Sequence, residues 1–156
     1  MNTPASIRRH PIHPMLIVFP IAFWIGSLVC DIIYHVGSQN MFWKAVAFYS
    51  MAAGIIGALL AVVPGFIDYL SLTDPLTKKI ATMHLALNLV VVVLFIFNLG
   101  LRYNASTGTE MFEIVLSIIA ITVLAASGWL GGILVYEQRV GVSTPREEGV
   151  IGRRAA

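Results

Sequence analysis

Four long apolar runs, separated by short polar links, organise the whole chain. They cover residues 15–35, 43–69, 80–101 and 112–136, and each reaches or exceeds the roughly 20 residues that a helix needs to cross a bilayer. A helix satisfies every backbone polar group within its own segment, which lipid cannot do. The pattern therefore predicts an all-α fold, an integral membrane four-helix bundle with up-down-up-down topology.

The composition supports this placement and limits the number of domains. Hydrophobic residues make up 58% of the chain and charged residues only 12%, whereas soluble domains carry roughly 25% charged residues. The four spans use most of the 156 residues. We therefore expect a single four-span domain over residues 1–156, with a polar tail at 138–156.

The positions of the basic residues predict the orientation. All ten Lys and Arg residues except Lys44 and Arg102 lie before the first span, between the second and third, or after the fourth. The positive-inside rule then places both termini in the cytoplasm. Because the basic residues lie where topology needs them and form no aromatic-interleaved patch, we expect a lipid bilayer but no nucleic acid as partner.

Several kinds of chemistry find no support in the sequence. The single cysteine, Cys30, rules out an intramolecular disulfide, and no Cys/His spacing typical of zinc or of an iron–sulfur cluster is present. We find no catalytic triad, phosphate loop or nucleophile elbow, so the sequence predicts no enzymatic activity. No internal repeat is apparent either.

The most concrete candidate site combines polar residues of three spans near the cytoplasmic ends. His13 begins span one, Asp68 ends span two, and His84 and Asn88 begin span three. Spans one and three are diagonal partners in an up-down bundle, so their histidines face each other at similar depth. Imidazoles on facing helices are the ligands that a b-type haem needs. The pattern therefore predicts His13 and His84 as iron ligands, with Asn88 beside the cofactor.

Small residues line one face of span two and part of span four. Such faces let helices approach closely in lipid, and glycines would also leave room for a flat macrocycle. Trp129 lies within the second group and is a further residue expected to contact the cofactor. The glycines predicted to serve packing are Gly54, Gly57, Gly65, Gly128, Gly131 and Gly132.

Each polar residue also has a structural interpretation. His13 precedes Pro14, a preferred first helical residue, and so marks the start of span one. His84 is equally explained as a structural histidine bonded to Asp68 or Asn88. Asp31 and His35, four positions apart near the outer face, form an interfacial hydrogen-bonded pair or an element of a proton relay.

Two motifs resemble those of a known family. They are the stretch from His10 to Pro20, with its two His-Pro pairs, and the stretch from Gly128 to Tyr136. Both are similar to a bacterial membrane family termed domain of unknown function 2231, and the resemblance covers nearly the whole chain. The chain departs from the family at 137–139, where the family tends to carry an Arg-His pair.

The family has no established activity, and what the resemblance implies about function is an association. It implies a location in the bacterial inner membrane. Relatives are fused to Rieske-type or cytochrome c-type domains, which implies work near an electron-transfer chain, and other membrane or redox subunits as partners.

Three functions remain open on the sequence alone. The first is a small electron-transfer subunit that binds haem b between His13 and His84. The second is a cofactor-free accessory or assembly subunit of a larger membrane complex, whose glycine-rich faces receive partner helices. The third is a proton or small-solute pathway through Asp31, His35 and Asp68, although no broken-helix pair typical of transporters is present.

Overall fold

Four long helices form the structure, a computed structural model that describes residues 3–8, 10–104 and 110–142. Four segments are long and apolar enough to cross a membrane, which confirms the predicted all-α four-helix membrane bundle. Residues 143–156 of the predicted tail lie outside the described residues. The elements are β1 (Ser6–Ile7), β2 (His10–Pro11), α1 (Ile12–Leu16), α2 (Val18–Ile33), a π-helical turn (Tyr34–Ser38), α3 (Met41–Leu70), α4 (Pro75–Tyr103) and α5 (Glu110–Tyr136).

The order of the contacts gives the direction of the helices. Trp24 of α2 lies against Gly54 of α3, whereas Ser27, later in α2, bonds to Ala47, earlier in α3. Residue numbers therefore increase along one helix as they decrease along the other. These helices are therefore antiparallel, and α4 and α5 show the same order. Side chains of α1 and α2 contact those of α4, and the residue numbers increase in the same direction on both sides. The first and third spans therefore run parallel across the diagonal of the bundle. The pairs that show this are His13–His84, Trp24–Phe95 and Asp31–Arg102.

The two halves of the chain repeat the same arrangement. A constant offset of 71 positions relates four polar or aromatic residues of the first span to polar or aromatic residues of the third. The matched residues are His13 with His84, Trp24 with Phe95, Ser27 with Asn98, and Asp31 with Arg102.

The second helix of each half repeats the contacts as well, at an offset of 66 positions (127 − 61, 131 − 65 and 113 − 47). Ser27 donates a hydrogen bond to the carbonyl of Ala47, and its counterpart Asn98 donates to the carbonyl of Glu113. The helical hairpin α2–α3 and the helical hairpin α4–α5 are therefore structural repeats. The sequence hides this because, among the four matched pairs of the first and third spans, only the histidines are identical.

Prolines and capping residues set the helix boundaries. The first helix starts at Ile12, earlier than predicted, and ends at Leu16. Pro20 lies four residues later in α2, and a proline lacks an N–H and crowds the carbonyl four residues before it, here that of Leu16. Asp74 caps α4 by accepting hydrogen bonds from the backbone N–H and the hydroxyl of Thr77. These bonds hold the pKa of the Asp74 carboxyl below its usual value.

A compact apolar cluster occupies the middle of the bundle. The Trp24 and Phe95 rings are stacked, with centroids 4.3 Å apart and planes at 11°. Met51 and Val91 are fully buried beside them. The cluster joins the first and third spans at mid-depth, between the histidines at one end and the ion pair at the other.

We predict that Gly54→Ala destabilises the protein, because the new Cβ would lie 2.5 Å from Nε1 of Trp24, inside a rigid ring stack. Overpacking of this kind costs about 1–3 kcal/mol. Gly132→Ala is the matched control, since nothing lies within 4 Å of its added Cβ and alanine favours a helix by up to about 1 kcal/mol. Thermal unfolding in detergent should show a lower midpoint for Gly54→Ala only. Equal midpoints for the two variants would contradict the predicted packing.

Candidate functional site

His13 lies in α1 and reaches across to α3. Its Nδ1 is 2.8 Å from the backbone carbonyl of Ala61. The ring fits there because residue 65 is glycine, as a Cβ at that position would lie 2.6 Å from Nδ1. Pro64 in the same turn lacks an N–H, which removes one intrahelical hydrogen bond of α3 at this point. The carbonyl of Ala61 and the absence of a side chain at Gly65 thus make the docking position for the imidazole.

His84 makes the same contact in the second helical hairpin. Its Nδ1 is 2.8 Å from the backbone carbonyl of Ser127, and a Cβ on Gly131 would lie 3.1 Å from its Cε1. The Ser127 hydroxyl is 3.1 Å from the same nitrogen. Each histidine therefore occupies a notch that consists of a backbone carbonyl and a glycine four residues later, Ala61 with Gly65 and Ser127 with Gly131.

The notches determine which nitrogen of each ring is protonated. A carbonyl oxygen only accepts hydrogen bonds, so Nδ1 of His13 and of His84 carries the proton. In a neutral imidazole the other nitrogen, Nε2, then presents its lone pair. An Nδ1–H bond to a backbone carbonyl is the arrangement that usually orients a metal-binding histidine.

The two rings face each other across the diagonal of the bundle. Their centroids are 6.4 Å apart and their planes are nearly perpendicular, at 87°. Two imidazoles that bind one metal ion from opposite sides, at about 2 Å each, also have centroids roughly 6 Å apart. His13 and His84 are therefore the residues that would hold a haem iron, and the separation of their rings is compatible with such a role. The bound group would supply one-electron chemistry.

The other predicted residues of this end, Asn88, Trp129 and Asp68, lie in different surroundings. Asn88 lies beside His84, as predicted, and its amide Nδ2 is 3.0 Å from Nε2 and 2.9 Å from the carbonyl of that histidine. Trp129 is 76% exposed, so its side chain points away from the bundle interior. Asp68 does not bond to His84, and its carboxylate accepts a hydrogen bond of 2.9 Å from the backbone N–H of Ala5.

The glycines divide into two groups. Gly54, Gly57 and Gly65 pack against Trp24, Pro20 and His13 respectively, so the face of α3 is filled by the first span. Gly131 contacts His84, whereas Gly128 and Gly132 have no atom within 4 Å of an added Cβ. The outward side of α5 is therefore free of contacts with the described part of the chain at these two glycines.

The N-terminal hairpin covers this end of the bundle. β1 pairs with β2, with Ser6 opposite Pro11. The bond from Ala5 to Asp68 fastens the hairpin to α3. Gly141, which has a φ of +76°, lets Pro11 approach so closely that a Cβ would lie 2.7 Å from its Cγ. The N-terminal hairpin and the segment around Gly141 therefore meet at the end of the bundle that holds His13 and His84.

The opposite end holds a buried ion pair that the sequence analysis did not identify. Arg102 donates from Nη1 and Nη2 to the two carboxylate oxygens of Asp31, at 2.8 and 2.6 Å. Its Nε donates to Asn98, which in turn donates to Ser117. Both charged side chains are almost completely buried. In the sequence Arg102 has the position of a charge that flanks a span. However, it lies eighteen residues after His84, just as Asp31 lies eighteen residues after His13.

His35 joins this end in a different way from that expected. Its Nδ1 is 3.0 Å from the backbone carbonyl of Asp31, not from its carboxylate. Its Nε2 lies 3.4 Å from the carboxylate of Glu110, which also pairs with Lys44. The predicted i, i+4 contact is therefore present through the backbone, and the side-chain partner of His35 comes from α5.

The comparisons with known proteins agree with the membrane fold. A family model described as predicted membrane protein (DUF2231) matches residues 9–144. No curated protein and no solved structure matches the chain.

We predict that Arg102→Gln strongly destabilises the protein, because it leaves the Asp31 carboxylate buried without its counter-ion. Breaking a buried pair in this way costs about 3–5 kcal/mol. The double variant Asp31→Asn/Arg102→Gln should recover most of the loss, since two amides need no counter-ion.

The matched control is Lys44→Gln, which breaks a partly exposed pair worth about 0–1 kcal/mol. Thermal unfolding in detergent measures all four proteins. A double variant as unstable as Arg102→Gln, or an unaffected Arg102→Gln, would contradict the role of the pair.

Proposed function

The chain belongs to the DUF2231 family of predicted membrane proteins, and from this premise we propose that it is an electron-transfer subunit that holds haem b between His13 and His84. The observation that carries the proposal is the facing pair of imidazoles, 6.4 Å apart, each with Nδ1 on a backbone carbonyl. The family resemblance, which implies work near an electron-transfer chain, is in keeping with this proposal.

The chain's own residues would prepare the two ligands for iron. The carbonyls of Ala61 and Ser127 hold each ring in the tautomer whose Nε2 is a ligand, and they raise the basicity of that nitrogen. They do so without a buried carboxylate, so no extra charge is placed in the membrane. Bound haem would supply one-electron chemistry, and two histidine ligands leave no open position for a substrate.

A second candidate is an accessory subunit without a cofactor. The observation in its favour is the outward side of α5, where Gly128 and Gly132 have no neighbours within 4 Å and Trp129 is 76% exposed. Small residues four positions apart are the usual contact between membrane helices. In this reading the larger membrane complex supplies the redox chemistry, and α5 docks on one of its helices. The third candidate, a pathway through Asp31, His35 and Asp68, gains no support, because Asp31 is fully paired with Arg102.

We further propose that the histidine end of the bundle faces the cytoplasm of a bacterial inner membrane. The support is the distribution of basic residues: within the described part of the chain, Lys44 and Arg102 lie at the Asp31 end, and the other basic residues, Arg8, Lys78, Lys79 and Arg139, lie at the histidine end. A haem between His13 and His84 would then lie near the cytoplasmic surface.

We predict that protein purified after expression with ample haem shows a Soret band and, on reduction with dithionite, resolved α and β bands. His13→Ala and His84→Ala should each abolish these bands, because six-coordinate haem needs both ligands. The matched control is His35→Ala, which removes a histidine at the opposite end and should leave the spectrum unchanged.

Unchanged haem content in both single variants would refute the assignment of the ligands. Colourless protein that copurifies with a larger membrane complex would favour the accessory subunit. In that case Gly132→Leu should disrupt the copurification.

We predict opposite labelling of two single cysteines placed in a Cys30→Ser background. Val36 and Tyr136 are matched, as both are 84% exposed, and they lie at opposite ends of the bundle. A membrane-impermeant maleimide added to spheroplasts should label Val36→Cys directly and Tyr136→Cys only after permeabilisation. The reverse pattern would place the histidine end outside.

A further inference from the structure

The nitrogen with which His84 would bind iron already has a partner. Because Nδ1 donates to the Ser127 carbonyl at 2.8 Å, Nε2 is the accepting nitrogen of the neutral ring. The amide Nδ2 of Asn88 lies 3.0 Å from it. An amide nitrogen donates, so the hydrogen bond runs from Asn88 to Nε2 and uses its single lone pair.

Asn88 is held in place by a second bond to the same residue. Its Nδ2 also donates to the backbone carbonyl of His84, at 2.9 Å, and asparagine in a helix commonly bonds one turn back in this way. The two amide hydrogens therefore serve the ring and the backbone of His84. The bond to the backbone does not depend on the ring, so Asn88 can release Nε2 without losing both of its partners.

Among the residues that the structure describes, the repeat places this cap on His84 and not on His13. The offset of 71 that relates the first span to the third matches Asn88 with Ile17 (88 − 71). Ile17 stands four residues after His13, as Asn88 stands four residues after His84, and its side chain has no hydrogen-bond donor. The two ligand positions thus differ at Nε2 in the Asn88 amide, and at Nδ1 in the hydroxyl of Ser127, whose counterpart is Ala61.

From this difference, and resting on the proposed haem function, we propose that Asn88 is a displaceable cap on His84. It holds Nε2 in the cofactor-free protein and releases it when iron binds, so it lowers haem affinity and slows haem uptake. The lone pair cannot accept the amide hydrogen and bind iron at the same time, so the exchange is obligatory. Asn88 is accordingly a positioning residue that acts through His84, and not a residue that stabilises the bound cofactor.

The first test uses the haem-free protein with ¹⁵N-labelled histidine. Removal of the cap in Asn88→Ile, which copies the Ile17 half, should move the Nε2 resonance of His84 and leave that of His13 in place. Asn88→Ala is the second variant, in case the branched side chain disturbs α4. A His84 Nε2 resonance that stays in place in both variants overturns the proposal without reference to haem.

The second test is a haemin titration of the wild type and of both variants. Loss of one neutral hydrogen bond to the free ligand predicts about 2- to 10-fold tighter binding and faster uptake, with the reduced α band at the wild-type position. The added affinity should vanish in Asn88→Ala/His84→Ala. Tighter binding is not what a merely structural role of Asn88 predicts, since a damaged site binds more weakly.

The outcomes separate the two proposals. Haem binding by the wild type with equal or weaker binding by both variants overturns the cap and leaves the haem site standing. Binding by the variants alone supports the cap and shows that it blocks loading. Failure of all three proteins to bind haemin overturns the cap and the haem function together.

Discussion

The contacts across the diagonal of the bundle hold the two helical hairpins together. In lipid there is no hydrophobic force between helices, so association depends on close packing and on polar contacts. The diagonal provides both kinds of contact at three levels: the imidazoles of His13 and His84, the stacked rings of Trp24 and Phe95, and the Asp31–Arg102 ion pair. The helix register needed for one level also brings the other two into position.

The two notches explain how a histidine pair can exist in this environment at low electrostatic cost. A buried carboxylate would orient an imidazole equally well, but it would place a charge in a region that does not solvate one. The carbonyls of Ala61 and Ser127 orient the rings with dipoles that the helices already contain. The buried ion pair of Asp31 and Arg102 lies at the other end, and the Asp68 carboxylate at the histidine end bonds to the backbone N–H of Ala5 and not to either imidazole. The candidate redox site and the stabilising ion pair are thus separated by the aromatic layer.

Much of the architecture could be predicted from the apolar runs alone, because the bilayer sets span length and forces helices. Depth and topology also sufficed to bring His13, His84 and Asn88 together. Three features could not be read in this way. A sequence does not say which side of a helix faces a neighbour, so Gly54 in a filled face and Gly132 on an open one have the same pattern. Arg102 was counted with the flanking charges, although its side chain turns inward to Asp31. The repeat stayed hidden because it conserves contacts and positions, whereas the residue types differ at Trp24/Phe95 and Ser27/Asn98.

The Asp31–Arg102 ion pair also determines which helical hairpins can pack against each other. If two copies of the first helical hairpin paired with each other, Asp31 would face Asp31, and two copies of the second would bring Arg102 against Arg102. Each of these assemblies would bury like charges, which is far less favourable than the mixed pair. The histidine level carries the same residue in both halves, so it does not distinguish between the combinations. A single position in each half, Asp31 or Arg102, thus favours pairing of the first helical hairpin with the second over pairing of either hairpin with a copy of itself.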